Sequence, residues 1–409
     1  MSLGTVLVDT FAGAELSLGT VLIDTSAATE AISVKRSIIL SNTIDYISWR
    51  GDLDFRVSPF CEVDAFICTQ LSTVDYAGIV SERLVRVPLY KAAERYFESH
   101  TEDYRELGIL QAKDTLRMLK AAAGCERYRR VSLRGYVNRI RQDENEQFSA
   151  LIVTPCEGLN IIVFRGTDDT IIGWKEDFYL SVYPEVPAQR DALGYLTAMA
   201  GRLSGRLILC GHSKGGNLAV YAASHVPGQI RDRIDHVYNF DGPGLSAEAL
   251  RTPEYLSVRN RITTILPKTS LVGMLLCMAG KSKVVETGMR GIWAHDGFNW
   301  EVMGTGFIEA PELSPDSRKF GSIVSTLLGS MDQETRKAFA DELFDALLDT
   351  GSVTLTDITM LSAQAKLELL KKLRRGKYTR QFAGQFVEEA VRLFIPEITE
   401  PIRTMIKKP

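Results

Sequence analysis

The fold is decided by the stretch Leu207-Ile208-Leu209-Cys210-Gly211-His212-Ser213-Lys214-Gly215-Gly216. Its first four residues are apolar and predict a buried strand, whereas Lys214 to His225 has the pattern of a helix. A serine on a sharp strand-to-helix turn needs small residues two positions before and two after it, and Gly211 and Gly215 meet that need. The pattern predicts that Ser213 is the nucleophile of a serine hydrolase. The alternative is a structural glycine-rich turn whose serine is idle.

A serine hydroxyl is a weak nucleophile without a base, and the chain has five histidines. His295 comes after the last predicted core strand, near Val284–Trp293, which is where this kind of site places its base. We therefore predict that His295 is the general base. His212 adjoins the nucleophile and is predicted to point away into packing. The others, His100, His225 and His236, lie in or beside other predicted elements.

The acid of the site is predicted to be Asp241, which follows the predicted strand His236–Phe240. A carboxylate at the carboxyl end of a parallel strand, between serine and histidine in chain order, is well placed to orient an imidazole. The alternative is that Asp241 only forms a turn before Gly242-Pro243. Asp296 adjoins the base, but neighbouring side chains in a loop rarely face each other.

An oxyanion hole needs two N–H donors aimed at the charge that develops on the substrate. One is predicted to be the backbone amide of Lys214, directly after the nucleophile. The second is predicted in the loop that follows the strand Leu159–Phe164, where Thr167 offers both an amide and a hydroxyl. A plain strand-to-helix turn is the alternative for this loop.

The wider pattern predicts an α/β fold, in which a mostly parallel central sheet is flanked by helices. Strands alternate with helices from Ser132 to about Trp293, and helical patterns precede and follow this part. We expect an N-terminal tail over 1–35, a hydrolase domain over 36–313 and a C-terminal helical region over 314–409. The predicted strands are Ser132–Arg141, Gln147–Thr154, Leu159–Phe164, Arg206–Cys210, His236–Phe240, Arg261–Leu266 and Val284–Trp293, with a loop at 143–146; the predicted helices are Pro59–Tyr76, Pro88–Ser99, Asp103–Ala123, Ala188–Leu203, Lys214–His225, Ser317–Leu348 and Thr356–Ile406.

These residues together resemble the class 3 lipase group of α/β-hydrolases. The matching stretches are Phe164–Thr167, Gly173–Asp177, Gly211–Gly216, Phe240–Pro243 and the late His295. The chain is most similar to a bacterial branch of that group, the Mbeg-like family, through Tyr46–Asp52, Asn217, Phe240–Gly244 and the stretch His295-Asp-Gly-Phe-Asn-Trp300. The resemblance covers about residues 42–350. It implies an α/β-hydrolase fold and a lipase- or esterase-like activity on a lipid or another acyl ester.

The chain departs from the class 3 lipase pattern at Ser270, which stands where that group carries its catalytic Asp. The acid of the family therefore cannot be carried over, and Asp241 is predicted from its own position. A second departure is the apolar segment Leu271–Ala279, predicted to line an acyl pocket or to act as a lid. Within it, Leu271 and Leu275 are predicted to contact the substrate.

Composition excludes several classes of protein. The 409 residues carry a formal net charge of −3, which argues against a nucleic-acid binder. Six cysteines are scattered through the chain without a histidine cluster, so neither a zinc site nor a disulfide framework is predicted. We predict no metal and no cofactor. No apolar run is long enough to span a bilayer, and the first 34 residues contain no Lys or Arg, so a cytoplasmic location is expected.

Two further features suggest partners. Ser2–Thr10 recurs as Ser17–Thr25, fifteen residues later. This repeat is either a genetic duplication in a poorly ordered tail or a duplicated docking peptide whose two weak copies gain avidity. The C-terminal helices carry a basic cluster, which is either a solvated face or a contact with an anionic membrane: Lys371, Lys372, Arg374, Arg375, Lys377 and Arg380. These features motivate a second functional hypothesis, an inactive hydrolase-fold scaffold recruited through the repeats.

Overall fold

The structure is a computed structural model that describes residues 5–7, 20–22, 41–100, 112–141, 146–168 and 170–380. The chain divides into two units, Met1–Ser41 and Asn42–Pro409. In the first unit, β1 (Thr5–Leu7) and β2 (Thr20–Leu22) pair in antiparallel fashion, with Val6 opposite Val21. The two strands occupy equivalent positions in the two copies of the repeat.

An eight-stranded sheet forms the centre of the second unit. Its strands are β3 (Val87–Pro88), β4 (Ser132–Arg141), β5 (Glu146–Cys156), β6 (Leu159–Phe164), β7 (Arg206–His212), β8 (Ile234–Phe240), β9 (Ile262–Pro267) and β10 (Lys281–Val285). Their spatial order is β10-β9-β8-β7-β6-β5-β4-β3. Strands β6 to β10 are parallel, whereas β3 to β6 pair in antiparallel fashion. Because only a few residues separate β4, β5 and β6, these strands can pair only as hairpins.

Helices cover the sheet. In chain order they are α1 (Thr43–Arg50), α2 (Glu62–Leu71), α3 (Leu89–Ser99), α4 (Ala112–Gly124), α5 (Glu126–Arg129), α6 (Ile171–Tyr179), α7 (Pro187–Ala200), α8 (Lys214–His225), α9 (Gly228–Arg231), α10 (Pro253–Val258), α11 (Pro315–Gly329), α12 (Gln333–Leu348), α13 (Leu355–Met360) and α14 (Ala363–Arg375). Proline stands at the start of α7, α10 and α11, where its missing N–H costs nothing. Among the helices of the described residues, none has the length and apolarity required to cross a membrane.

The two faces of the sheet explain why the strands are apolar at successive positions. Along β7, Ile208 and Cys210 pack into the cluster beneath α2, α3 and α4, whereas Leu207 and Leu209 pack into the cluster beneath α7 and α8. Successive side chains of a strand point to opposite faces, so a strand covered on both faces must be apolar throughout. The predicted α/β fold with a central sheet flanked by helices is confirmed, in agreement with an α/β-hydrolase fold.

Some predicted elements differ from the observed ones. The strand predicted near Val284–Trp293 is wrong: β10 ends at Val285, and Gly291–His295 forms a 3₁₀ turn that follows an irregular, glycine-containing stretch. The helix predicted over Pro59–Tyr76 is shorter, since α2 is confined to Glu62–Leu71. The predicted loop at 143–146 lies outside the described residues, except for Glu146, which begins β5.

The long helices predicted at both ends of the second unit are interrupted or only partly described. Breaks at 330–332 and 361–362 separate α11 from α12 and α13 from α14, because an N-capping residue, Asp332 or Ser362, starts a new helix there. The first part of the helix predicted over Asp103–Ala123 and the last part of that over Thr356–Ile406 lie outside the described residues.

The C-terminal helices pack against α6, which lies close in sequence to the loop after β6. Lys175 on α6 lies 3.0 Å from both Asp341 and Asp345 on α12. The backbone amide of Ile171 donates to the carbonyl of Val353 at 2.9 Å. Farther along, the basic side chains from Lys371 to Arg380 are exposed. The start of α6 is thus held by residues nearly two hundred positions later in the chain.

Candidate active site

Ser213 stands between the end of β7 and the start of α8 in a strained backbone conformation. Its φ is 58° and its ψ is −134°, a combination that serine rarely adopts. The flanking glycines make the turn possible, because a Cβ on Gly211 would lie 2.1 Å from the carbonyl carbon of Gly215. The backbone amide of Ser213 donates to Phe240 O on β8 at 2.9 Å. A strained serine between a strand and a helix, at the carboxyl edge of the sheet, is the geometry expected of the predicted nucleophile elbow.

His295 and Asp241 form a buried pair beside this elbow. His295 Nδ1 and Asp241 Oδ2 are 2.7 Å apart, and the two residues are 54 positions apart in sequence. Asp241 directly follows β8, and His295 ends the 3₁₀ turn Gly291–His295. Because the carboxylate accepts, Nδ1 carries the proton and Nε2 is left to accept one. The structure therefore brings together the two side chains that the sequence analysis had assigned as base and acid.

Asp241 is held by further hydrogen bonds. Its Oδ1 accepts from Ser270 Oγ at 2.5 Å and from the amide of Gly273 at 3.2 Å. Burial raises the pKa of Asp241 above its ordinary value, and the bonds from His295, Ser270 and Gly273 oppose that increase. Ser270, which takes the place of the Asp of class 3 lipases, is thus a hydrogen-bond donor to the carboxylate that pairs with the histidine.

His212 contacts the backbone of His295, a contact that the sequence analysis did not anticipate. His212 Nε2 lies 2.8 Å from His295 O, and because a carbonyl only accepts, Nε2 carries the proton. The two imidazole rings are 4.4 Å apart between centroids. Burial holds the pKa of His212 well below its usual value, so its ring is neutral at physiological pH. As predicted, the ring is buried in packing, but this packing positions His295.

The loop after β6 lies against the elbow. A Cβ on Gly166 would be 3.1 Å from Ser213 Cβ and 2.7 Å from His212 O. The hydroxyl of Thr167 donates to Asp177 Oδ2 on α6 at 2.7 Å. Since its hydroxyl proton is directed to Asp177, the backbone amide of Thr167 is the donor that remains for an oxyanion. Asp177 belongs to the stretch Gly173–Asp177, which carries part of the family resemblance, but the sequence predicted no role for it.

The environment of Asp177 is unusual for a carboxyl group. Burial raises its pKa to about 7, although the positive charge of Lys214 and the hydrogen bond from Thr167 act in the opposite direction. Lys214 begins α8, as the sequence predicted, and its side chain is completely buried. Both predicted oxyanion donors therefore belong to residues whose side chains bond to buried carboxylates on α6.

Leu271 and Leu275 lie under α11. Leu271 is buried in a cluster with Phe320 and Val324, and Leu275 packs against that cluster from the edge. Their segment begins next to Ser270 and is therefore close to Asp241. Large apolar side chains near this segment and near His295 are partly exposed, with exposed fractions of 40–42%: Met278, Met289 and Trp293. The predicted contact of Leu271 and Leu275 with a substrate stays a prediction.

Asp296, which adjoins the base in sequence, makes its hydrogen bonds within its own loop. Its carboxylate caps a short turn by accepting from the amide of Phe298 at 3.0 Å and from Asn299 Nδ2 at 3.2 Å. Across the described ranges, no group of three or more His, Cys, Asp or Glu side chains is arranged to hold a metal ion.

Among the same residues, no hydrogen bond joins Ser213 Oγ to His295. Such bonds are often long in ligand-free enzymes and shorten when a substrate binds.

The chain is similar to a known protein family and to a solved structure. The family model described as Mbeg1-like matches residues 122–345, which include all the site residues described above. Among solved structures, the chain is similar to one titled "Crystal structure of M37 lipase", with 15% sequence identity and a TM-score of 0.33. That match covers 51% of this chain and 68% of the other. No curated protein matches the chain's sequence.

Proposed function

The chain belongs to the Mbeg1-like family, and from the arrangement of Ser213, His295 and Asp241 we propose that it is a serine hydrolase that cleaves a carboxylic ester. The observation that carries this proposal is the 2.7 Å contact of His295 Nδ1 with Asp241 Oδ2 beside a serine at φ 58°. A structural turn needs neither a strained serine nor a buried histidine–aspartate pair next to it.

The proposed reaction follows from this geometry. Ser213 Oγ attacks the ester carbonyl while His295 Nε2 takes the hydroxyl proton, and the backbone amides of Lys214 and Thr167 stabilise the oxyanion. His295 then gives the proton to the departing alcohol, which leaves an acyl-enzyme. A water molecule attacks the acyl-enzyme with His295 again as base, releasing the carboxylic acid and restoring Ser213. Asp241 keeps the imidazole in the required tautomer and stabilises its protonated form.

The proposed substrate is a lipid or another ester with an apolar acyl chain. Apolar side chains in two segments support this choice. The loop that carries His295 exposes Met289 and Trp293, and the segment after Ser270 exposes Met278. The same segment contains Leu271, which is buried, and Leu275, which is half-buried. Apolar walls of this kind bind an acyl chain by removing its surface from water.

A second candidate function is that of an inactive scaffold with a hydrolase fold. The features that favour this alternative are the repeats, whose strands β1 and β2 pair with each other, and the exposed basic cluster of the C-terminal helices. In that case the N-terminal repeats recruit a partner, and the buried histidine–aspartate pair only maintains the loop around residue 295.

Labelling with a fluorophosphonate probe separates the two candidates. We expect the folded wild type to be labelled, Ser213→Ala to abolish labelling, and His295→Ala to lower its rate by about 10³-fold or more, because both residues act in the same step. Ser224→Ala is a matched control, since Ser224 is a buried serine on α8, the helix that starts after Ser213, and its hydroxyl donates to Val220 O. An unlabelled wild type beside a reactive control hydrolase would establish the scaffold. Esters of p-nitrophenol with increasing acyl length then define the chain preference.

A further inference from the structure

The side chain of Lys214 is completely buried, although its backbone forms the first turn after the nucleophile. Lys214 Nζ donates to Glu176 Oε2 at 2.8 Å, to Gln147 O at 2.8 Å and to Gln147 Oε1 at 3.1 Å. The ammonium group has three protons, and each has an acceptor. Glu176 is also completely buried, so this ion pair has no contact with solvent.

Glu176 connects the ammonium group to several other segments. It lies on α6, and its Oε2 accepts a second hydrogen bond, from the amide of Gln147 at 3.2 Å. Its Oε1 accepts from the amide of Ala188 at 3.1 Å, in the first turn of α7, where a negative charge is favoured. One carboxylate thus joins the starts of α7, α8 and β5 to α6.

Gln147 extends this set of contacts to the loop after β6. Its side-chain oxygen, which accepts from Lys214 Nζ, also accepts from the backbone amide of Asp168 at 3.3 Å. Asp168 directly follows Thr167, the second proposed oxyanion donor. We call the three residues Lys214, Glu176 and Gln147 the Lys214 network. This network links the nucleophile elbow to the opposite wall of the proposed oxyanion hole.

Stability alone does not explain this buried ion pair. Taking two charges out of water costs so much free energy that apolar residues of similar volume often give an equally stable protein. A charged network does give fixed distances, because each ammonium proton must point at its own acceptor. An oxyanion hole requires fixed distances, since its donors must be held to within about 0.5 Å of the geometry in which they bind the developing charge.

We propose that the Lys214 network is a positioning device that sets the distance between the two walls of the oxyanion hole. In this assignment Lys214 acts twice. Its backbone amide binds the oxyanion, and its side chain, through Glu176 and Gln147, holds the loop that supplies the amide of Thr167. Glu176 and Gln147 are positioning residues that touch no substrate. This inference rests on the proposed hydrolase function. Its test therefore has to distinguish a failure of the positioning role from a failure of the hydrolase function.

The test uses Gln147→Met in the full chain. This change removes the oxygen shared by Asp168 N and Lys214 Nζ but leaves Lys214 its bonds to Glu176 and to the backbone of residue 147. We expect kcat for a p-nitrophenyl ester to fall about 10-fold or more with KM changed less than about twofold, because the donors act on the transition state. Gln189→Met is the matched control: Gln189 is also a buried glutamine, and it bonds to Asn217 and to Val186 N, away from the oxyanion loop.

A second measurement does not depend on catalysis. Amide hydrogen exchange at Asp168 should be faster in Gln147→Met than in the wild type and unchanged in Gln189→Met. The double variant Lys214→Met/Glu176→Gln removes both charges of the ion pair, and it should show the same faster exchange and the same loss of kcat. Unchanged exchange and kcat in a folded Gln147→Met protein would overturn the positioning role. Should the wild type hydrolyse no ester and resist fluorophosphonate, the proposed function fails, while the exchange rates still decide whether the network holds the loop.

Discussion

Asp241 illustrates how single residues are fixed in this site. Its backbone has a φ of 47°, in the left-handed region, which Asp tolerates better than most residues with a side chain. Its amide donates to Ile265 O on β9, and its carboxylate accepts from His295, Ser270 and the amide of Gly273. The carboxylate therefore has a single available orientation, with Oδ2 directed at the imidazole. Ser270 contributes to this orientation through its hydrogen bond to Oδ1.

Variants of Asp241 and Ser270 test this division of roles. We expect Asp241→Asn to lower kcat/KM for an ester by about 10³- to 10⁴-fold, because the amide no longer holds the imidazole in the correct tautomer. Ser270→Ala should cost only about 10-fold, since the carboxylate keeps its charge. Steady-state kinetics and the rate of fluorophosphonate labelling measure both effects. Asp296→Asn serves as the control beside the base, with a loss of less than about threefold. A larger loss in Ser270→Ala than in Asp241→Asn would refute our assignment of the acid.

At the scale of elements, the site depends on the close packing of α8 on β6 and β7. The N-terminus of α8 approaches the carboxyl ends of these strands so closely that no side chain fits between them. A Cβ on Gly215 would lie 2.1 Å from Phe164 O, far inside van der Waals contact. The neighbouring backbone belongs to buried strands and cannot move away without breaking the ladder between β6 and β7. The glycine is thus required by the distance between helix and sheet.

Alanine substitutions of two helical glycines should have opposite effects. Gly215→Ala is expected to lower the free energy of unfolding by about 3 kcal/mol or to prevent folding, because it forces a helix away from a packed sheet. Gly194→Ala, in the middle of α7, should raise it by about 0.5–1 kcal/mol, since a Cβ there would meet no atom within 4 Å and alanine favours the helix. Urea denaturation followed by circular dichroism measures both. Equal effects of the two substitutions would contradict the packing argument.

At the scale of the whole molecule, the residues of the site all lie in the unit Asn42–Pro409, and the repeat lies in the unit Met1–Ser41. Within the smaller unit, β1 and β2 pair with Val6 opposite Val21, which are equivalent positions of the two copies. Within the larger unit, α12 contacts α6 through ion pairs of Lys175 with Asp341 and Asp345. The contact of the exposed basic cluster with an anionic membrane stays a prediction.

Deletion of residues 1–34 should separate catalysis from recruitment. We expect the shortened chain to keep kcat/KM within about twofold, because it retains every residue of the proposed site. If the repeats are docking peptides, the deletion should also abolish a partner interaction, and removal of one copy should weaken it, since two linked copies bind with avidity. Affinity capture of the full and shortened chains, compared by mass spectrometry, measures this. Identical partners for the two chains would show that the repeats do not recruit.

The sequence by itself determined most of the elements and indicated Ser213 as the candidate nucleophile. The bounds of β4, β6 and α8 were predicted without error, because strand alternation, helical periodicity and the glycines around Ser213 act over short distances along the chain. The order of residues along the chain also indicated His295 as the candidate base and Asp241 as the candidate acid. The prediction of a strand near Val284–Trp293 was wrong beyond Val285, because scattered apolar residues around Gly288 and Gly291 do not distinguish a strand from an irregular stretch and a 3₁₀ turn.

Only the tertiary structure decided which side chains meet. The contacts of His295 with Asp241, of His212 with His295 O, and of Lys214 with Glu176 join residues that are 54, 83 and 38 positions apart. The order and register of the sheet set these distances, and no local pattern encodes them. From the sequence alone, no role was predicted for the side chain of Lys214, because a charged residue is normally expected to be exposed to solvent. Its burial follows from the convergence of α6, α8 and β5 around one carboxylate, which exists only in the folded chain.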